Sequence, residues 1–185
     1  MEKLSSKYNA HMMNKQISKK DFKVFQKESI ECMKHVNNNL QTCIEMFNTL
    51  ITDIGTLLAN DFPNDHTICT YSSLVSNIIT TKPLEPISMF IMNVYQNDKY
   101  REYIMHGNDK FFVNNDHNDV TNNDEKMIQT MFQFKTCWKQ LSNDNKDYIK
   151  NIMKTLVQIS TQYIIEKDNG NTIAIMINNL DSMCQ

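Results

Sequence analysis

The side chains with the most obvious chemical potential lie in one polar segment, NNDHNDVTNNDE, at positions 114–125. Oxygen-bearing side chains recur there with the spacing of an EF-hand calcium loop, at Asn114, Asp116, Asn118, Asn122 and Glu125. The pattern lacks two requirements, because its first residue is asparagine rather than aspartate and Asp119 stands where the turn needs glycine. We therefore expect a solvated loop that binds no calcium.

Histidines and acidic residues near this segment do not form a metal-binding pattern. His106 and Asp109 have the i, i+3 spacing that places two ligands on one helix face, but Gly107 between them breaks a helix. Asp116 and His117 follow in the same stretch. Solvated or locally capping side chains account for all four residues, so we expect no metal and no cofactor.

Nucleophilic catalysis has no local signature in this chain. Cys32 and Cys43 fall on an apolar stripe, where a thiol acts as a small hydrophobic side chain, and Cys137 adjoins Trp138 on another stripe. Only three glycines occur, too few for a glycine-rich loop that cradles phosphates or a dinucleotide. We expect the protein not to be an enzyme, and a small helical enzyme or metal-binding protein using residues from His106 to Glu125 is the last alternative.

A basic segment near the start of the chain favours a different chemistry, the neutralisation of phosphate groups. Its candidate contacts are Lys15, Lys19, Lys20, Lys23 and Lys27. Such a segment binds DNA, RNA or an acidic partner through charge. The same lysines also fit the solvated face of a helix, and the segment lacks arginine and an aromatic interleaving suited to base stacking. Nucleic-acid binding therefore stands as the first alternative function.

The elements that must position these side chains are helices. Three glycines and three prolines in 185 residues leave little material for hairpins, while apolar residues recur every three or four positions. The pattern predicts an all-α fold, a bundle of six to eight helices with a long N-terminal helix. We expect a flexible basic arm over 1–17, with a short, weakly docking helix there as the alternative, and a single helical domain over 18–185, with the bundle at 64–182.

The strongest periodic signal is an apolar stripe that we call the long-helix seam. It is defined by Phe22, Phe25, Val36, Phe47, Leu50 and Ile54. The spacing predicts a helix over 19–59, which at 1.5 Å per residue spans about 60 Å. Ser18 is suited to cap its start. The run Asn37–Asn39 leaves two alternatives open, one continuous helix or two collinear helices.

Local signals place the remaining helices. Asp65 is suited to cap a helix whose predicted inward residues are Ile68, Tyr71, Leu74, Val75, Ile78 and Ile79. Gly170 is expected to end a later helix. Arg101, the only arginine, is expected to pair with Asp98 or a neighbouring glutamate on one helix. Trp138, the only tryptophan, is expected to anchor the core, with an exposed partner contact as the alternative.

Bulk properties restrict the compartment. The formal net charge is −2, so no global charge attracts nucleic acid or a membrane surface. No apolar run approaches the roughly 18 residues of a membrane span, and the first residues lack the apolar stretch of a signal peptide. Five widely separated cysteines without a C-x-x-C motif indicate reduced thiols. We expect an intracellular, reducing location.

Two stretches of the chain resemble small all-helical proteins of giant double-stranded DNA viruses. They are FQFKTCWKQLSNDNKDYIKNIMKTL and PLEPISMFIMNVYQNDKYREYI, the latter followed by the pair Phe111-Phe112. The resemblance consists mostly of apolar spacing. It implies a viral origin, in the host cytoplasm or the virion, and it supplies no catalytic residues.

These observations favour a non-enzymatic interaction or assembly protein that works through helix contacts. If the long-helix seam exceeds the length of its own bundle, its apolar side chains must meet a second copy or another protein. We therefore predict that the seam binds a protein partner, in a homo-oligomer or a heteromeric viral assembly.

Overall fold

The turn-poor sequence folds into helices in this computed structural model, which describes residues 1–14, 16–113 and 134–184. The helices are α1 (Glu2–Asn14), α2 (Lys19–Asp61), α3 (His66–Thr81), α4 (Glu85–Phe90) continued by a π-helical turn (Ile91–Tyr95), α5 (Asp98–Met105), α6 (Lys110–Val113), a helical segment at 134–140, and α7 (Asn143–Met183). These ranges contain no strand. The predicted all-α bundle with a long N-terminal helix is confirmed.

The described chain forms two compact units. Unit 1 comprises Met1–Cys43 and Gln162–Gln185, and unit 2 comprises Ile44–Thr161. The boundaries fall inside α2 and inside α7, so each long helix contributes residues to both units. The expected division differed, with an arm over 1–17 and one domain over 18–185, because apolar spacing alone does not show where contacts between distant segments become sparse.

Helix α2 is continuous for 43 residues, which decides between the two alternatives left open at Asn37–Asn39. Its start is capped as predicted, because the backbone N–H of Asp21 donates to Ser18 Oγ at 3.1 Å. Asn39 does not compete for the helix backbone, since its side-chain amide donates to Glu166 Oε1 at 2.9 Å. A partner on another helix thus keeps the asparagine run helical.

Helix α7 runs for 41 residues through Gly170, so the prediction that this glycine ends a helix is wrong. A Cβ at Gly170 would lie 3.4 Å from Val36 Cγ1 and 3.7 Å from Met33 Sδ. The glycine therefore marks a place where α7 packs closely against α2 within unit 1. The packing of neighbouring turns outweighs the cost of about 1 kcal/mol that a mid-helix glycine carries.

Unit 1 has a core that joins α1, α2 and α7. Its buried members are Leu4, Ile17, Phe25, Val36, Ile173, Met176 and Leu180. Helix α1 occupies most of the segment 1–17, where we expected a flexible arm. Leu4 is buried in this core, Lys7 pairs with Glu28, and the Asn179 amide donates to the Tyr8 hydroxyl at 2.8 Å. These contacts give α1 the tertiary support that a short isolated helix lacks.

Unit 2 has a core of its own, built around Trp138. Its buried members are Leu58, Ile68, Tyr100, Ile104, Phe111, Phe112, Cys137, Trp138, Leu141, Ile149 and Val157. The Trp138 ring stacks on Phe112 with 3.9 Å between centroids, which confirms the predicted role of this tryptophan as a core anchor. Asp65 caps α3 as predicted, accepting from the backbone N–H groups of Thr67 and Ile68 at 3.1 Å each.

The single arginine secures the π-helical turn. Arg101 pairs with Asp98, as predicted, and its other terminal nitrogen donates to the Tyr95 carbonyl at 2.6 Å. The guanidinium also lies over the Tyr95 ring, 5.1 Å from its centroid. Only a planar, multiply donating group meets these three demands together, which gives a physical reason for arginine at this position.

Candidate interaction surface

The predicted partner-binding residues of the long-helix seam lie in the interior of the two units. In unit 1, Phe25 and Val36 are buried and Phe22 packs half-buried against them. In unit 2, Phe47 is buried and contacts the Phe90 ring edge-on at 5.3 Å, while Ile54 packs half-buried against the core. Leu50 is half-buried as well.

The seam is therefore covered by helices of the same chain. Its heptad spacing reflects internal packing, and the exposed part on which we based the partner contact is small. An interaction surface has to be sought elsewhere among the described residues.

Helix α3 carries an apolar stripe that its own unit leaves uncovered. We define the α3 stripe by Tyr71, Leu74 and Ile78, which follow a three- and four-residue spacing and so share one side of the helix. Tyr71 is 50% exposed and Leu74 is 52% exposed, while Ile78 is half-buried. Both exposed residues were predicted to point inward, and only Ile68 of the predicted set is fully buried.

Tyr71 combines an aromatic ring with a hydroxyl group, and half of the residue is exposed. Desolvation raises the pKa of its phenol, so part of the side chain is withdrawn from water.

The rest of the helix surface is polar but carries no net charge. None of the 16 residues of α3 is Asp, Glu, Lys or Arg. Four hydroxyl groups donate to the carbonyl one turn earlier, at 2.8–3.0 Å, and they belong to Ser73, Ser76, Thr80 and Thr81. Because their protons already have acceptors inside the helix, a partner that covers α3 strips little water from unsatisfied donors.

The lack of charged residues in α3 is a sequence signal for this exposed surface. We predicted the inward-facing residues of this helix from apolar spacing alone and did not use that signal. A helix that packs on one side normally shows charges on the other, and a run of 16 residues without any charge lacks that contrast. The periodicity then fails to tell the covered side from the open side.

The candidate nucleic-acid contacts form an exposed basic face on α2. Lys19, Lys20, Lys23 and Lys27 are all exposed, and none of them takes part in an ion pair of the described residues. Lys15 lies outside the described residues. The spacing of Lys19, Lys23 and Lys27 places their ammonium groups along one side of the helix.

The residues weighed for a metal or an active site are not brought together. His106 is exposed at the end of α5, and Asp109 is engaged by Lys150 Nζ at 2.7 Å. That hydrogen bond raises the pKa of Lys150. The segment 114–125 lies outside the described residues, and within the described ranges no three His, Cys, Asp or Glu side chains are grouped to hold a metal ion.

The cysteines are all free thiols. Burial raises the pKa of Cys43 and of Cys137, and a nearby carboxyl raises each further, Glu166 for the first and Asp65 for the second. A raised pKa lowers the thiolate fraction, which is the opposite of what a catalytic nucleophile requires. Both thiols act as core side chains.

Compared with protein-family models, with curated proteins and with solved structures, the chain gives no match. Among the helices that the structure describes, none combines the length and the apolar character that crossing a membrane requires. The described chain is an all-α helical bundle, and its α3 stripe leaves two large apolar side chains half-exposed.

Proposed function

We propose that the protein is a non-enzymatic interaction or assembly protein that associates with a second copy of itself through the α3 stripe. The observation that carries the proposal is the half-exposed pair Tyr71 and Leu74 on a helix without a single charged residue. Large apolar side chains at heptad spacing are the means by which two helices interlock. The viral setting of this function rests on the resemblance alone.

The absence of charge favours a second copy as the partner. In a twofold symmetric dimer each patch meets itself, so any charged patch would face its own charge. The α3 stripe avoids that repulsion, and an antiparallel pairing sets Tyr71 of one copy near Leu74 of the other. Sixteen residues of helix, about 24 Å long, supply the centre of such a contact.

The decisive experiment compares two matched substitutions by light scattering during size exclusion. Leu74→Asp places a charge in the middle of the α3 stripe, whereas Ile175→Asp makes the same change at a residue of α7 that is 58% exposed. We expect a dimer for the wild type and for Ile175→Asp, and a monomer for Leu74→Asp, because facing carboxylates repel and lose water.

Unchanged helical content by circular dichroism shows that both variants are folded. A wild-type protein that stays monomeric at concentrations far above micromolar contradicts the proposal. So does a Leu74→Asp variant that dimerises as strongly as the wild type.

A second candidate function, binding of nucleic acid, is favoured by the four exposed α2 lysines that have no ion-pair partner among the described residues. Contact with about three phosphates predicts an affinity that falls with salt, with a log–log slope of about −3 on duplex DNA. Fluorescence anisotropy with a labelled duplex measures this slope. Binding that ignores ionic strength excludes the mechanism.

A charge-matched pair of variants tests whether these lysines are responsible. Replacing Lys19, Lys20 and Lys23 by glutamate should abolish binding. Replacing three exposed lysines elsewhere, Lys99, Lys139 and Lys167, changes the net charge equally and should weaken it much less. Equal losses in the two variants would show that only the overall charge matters.

A further inference from the structure

A buried carboxyl group in unit 1 lacks a cationic partner. Glu166 of α7 is 8% exposed, and its Oε1 accepts two hydrogen bonds of 2.9 Å, one from the Asn39 amide and one from the Gln162 amide. No described Lys, Arg or His forms an ion pair with it. A buried carboxyl normally has a counter-ion, because two neutral amides replace only part of its hydration.

The Glu166 side chain lines an open groove within unit 1. No described residue donates to Glu166 Oε2, and the side chain lines a groove of about 390 Å³ together with Cys32, His35, Asn39 and Asn169. The two asparagines each carry an amide oxygen that accepts hydrogen bonds. No Lys or Arg lines the groove.

Besides Glu166 and the two asparagines, the groove lining comprises Met1, Glu31, Cys32, His35 and Val36. Glu31 is paired with Lys34 at 3.1 Å, whereas no ion pair among the described residues involves Glu166. The Glu166 carboxyl also lies near Cys43, where it is, after burial, the second cause of the raised pKa of that thiol.

We propose that this groove binds a primary alkylammonium group, with Glu166 as its counter-ion. An ammonium group has three N–H donors, which match Glu166 Oε2 and the amide oxygens of Asn39 and Asn169. A divalent metal is a poorer match, since the described residues do not group three ionisable ligands there. The same ammonium chemistry occurs in a small polyamine and in the lysine side chain of a peptide.

Calorimetric titration of the full chain with two probes separates these sources. Spermidine represents the polyamine, and Nα-acetyl-lysine methylamide represents the peptide lysine. Binding of either probe through Glu166 supports the proposal, and the tighter probe identifies the source. A wild-type protein that binds neither probe at about 10 mM overturns it.

Two variants that each remove one negative charge decide whether Glu166 is the counter-ion. Glu166→Gln keeps an oxygen that accepts from both amides but removes the charge, and should weaken binding about ten- to a hundredfold, the range of one charge-assisted hydrogen bond. Glu102→Gln removes an exposed charge outside the groove and should change affinity less than about twofold.

Asn169→Ala is a second test that does not change the buried residue Glu166, where a substitution could disturb folding. It leaves Glu166 and its two amide donors in place and should weaken binding about fivefold, through loss of one neutral acceptor. Equal effects of Glu166→Gln and Glu102→Gln would show non-specific attraction and overturn the proposal. Unaltered binding in both Glu166→Gln and Asn169→Ala would do the same.

Discussion

Replacing each of the three glycines by alanine tests the described packing, because each glycine lies in a different environment. Gly170 lies inside α7 with an ordinary helical conformation, and a Cβ there would lie 3.4 Å from Val36 Cγ1, a normal contact distance. Gly170→Ala should therefore gain the helix propensity of alanine, about 1 kcal/mol, without a clash. In a chain of this length that gain raises the melting temperature by roughly 2–4 °C.

The other two glycines predict different results for the same change. At Gly107, φ is +62°, a left-handed conformation that alanine adopts at a cost of about 1 kcal/mol, so Gly107→Ala should lower stability. At Gly55, a Cβ would lie 3.1 Å from Ser72 Oγ, closer than normal contact. Gly55→Ala should therefore gain less than Gly170→Ala.

Thermal and urea unfolding followed by circular dichroism measure all three effects. The Gly55 effect is checked in a Ser72→Ala background, where the close oxygen is gone and the next atom, Ser72 Cβ, is 3.7 Å away. In that background Gly55→Ala should raise the free energy of unfolding by about 0.5 kcal/mol or more beyond its effect in the wild type. A destabilised Gly170→Ala variant, or the same effect at all three glycines, would refute the described contacts.

Three further outcomes follow from single side chains. Arg101→Lys should lower the free energy of unfolding by about 1–2 kcal/mol, measured in urea, because lysine cannot hold both the ion pair and the last carbonyl of the π-helical turn. In the native protein a thiol reagent should modify half-buried Cys69 well before buried Cys43, as peptide mass spectrometry would show, and equal rates would contradict the burial. The hydrogen bond from Lys7 holds the pKa of Glu28 below its ordinary value of 4.5, so the wild type should be more stable than Glu28→Gln above pH 4.5 and lose that advantage as the pH falls through the lowered pKa.

Features set by neighbouring residues could be predicted from the sequence. The caps at Ser18 and Asp65 and the pairing of Arg101 with Asp98 depend on side chains within three positions of each other, and all three were anticipated. The all-α class followed in the same way, since periodicity and the scarcity of turn residues are local properties.

Features set by distant residues were not predictable. Asn39 lies in the run that left the continuity of α2 open, and the acceptor of its side-chain amide is Glu166, 127 residues away. Glu166 and Gly170 continue the inward spacing of Leu156, Ile159 and Tyr163 on α7, so their interior position was readable in principle. The opposing helix α2 is needed to show that Glu166 has amide donors rather than a cation as its partners, and that Gly170 lies where the two helices pack closely.

The division of the chain has a consequence for how it is made. Every residue of unit 2 lies between 44 and 161, whereas unit 1 needs both 1–43 and 162–185. During synthesis unit 2 can therefore be complete before unit 1, because residues 1–43 must wait for residues 162–185. Until then Phe25 and Val36 remain without their α7 neighbours, and the nascent chain offers chaperones an apolar target that the finished protein conceals.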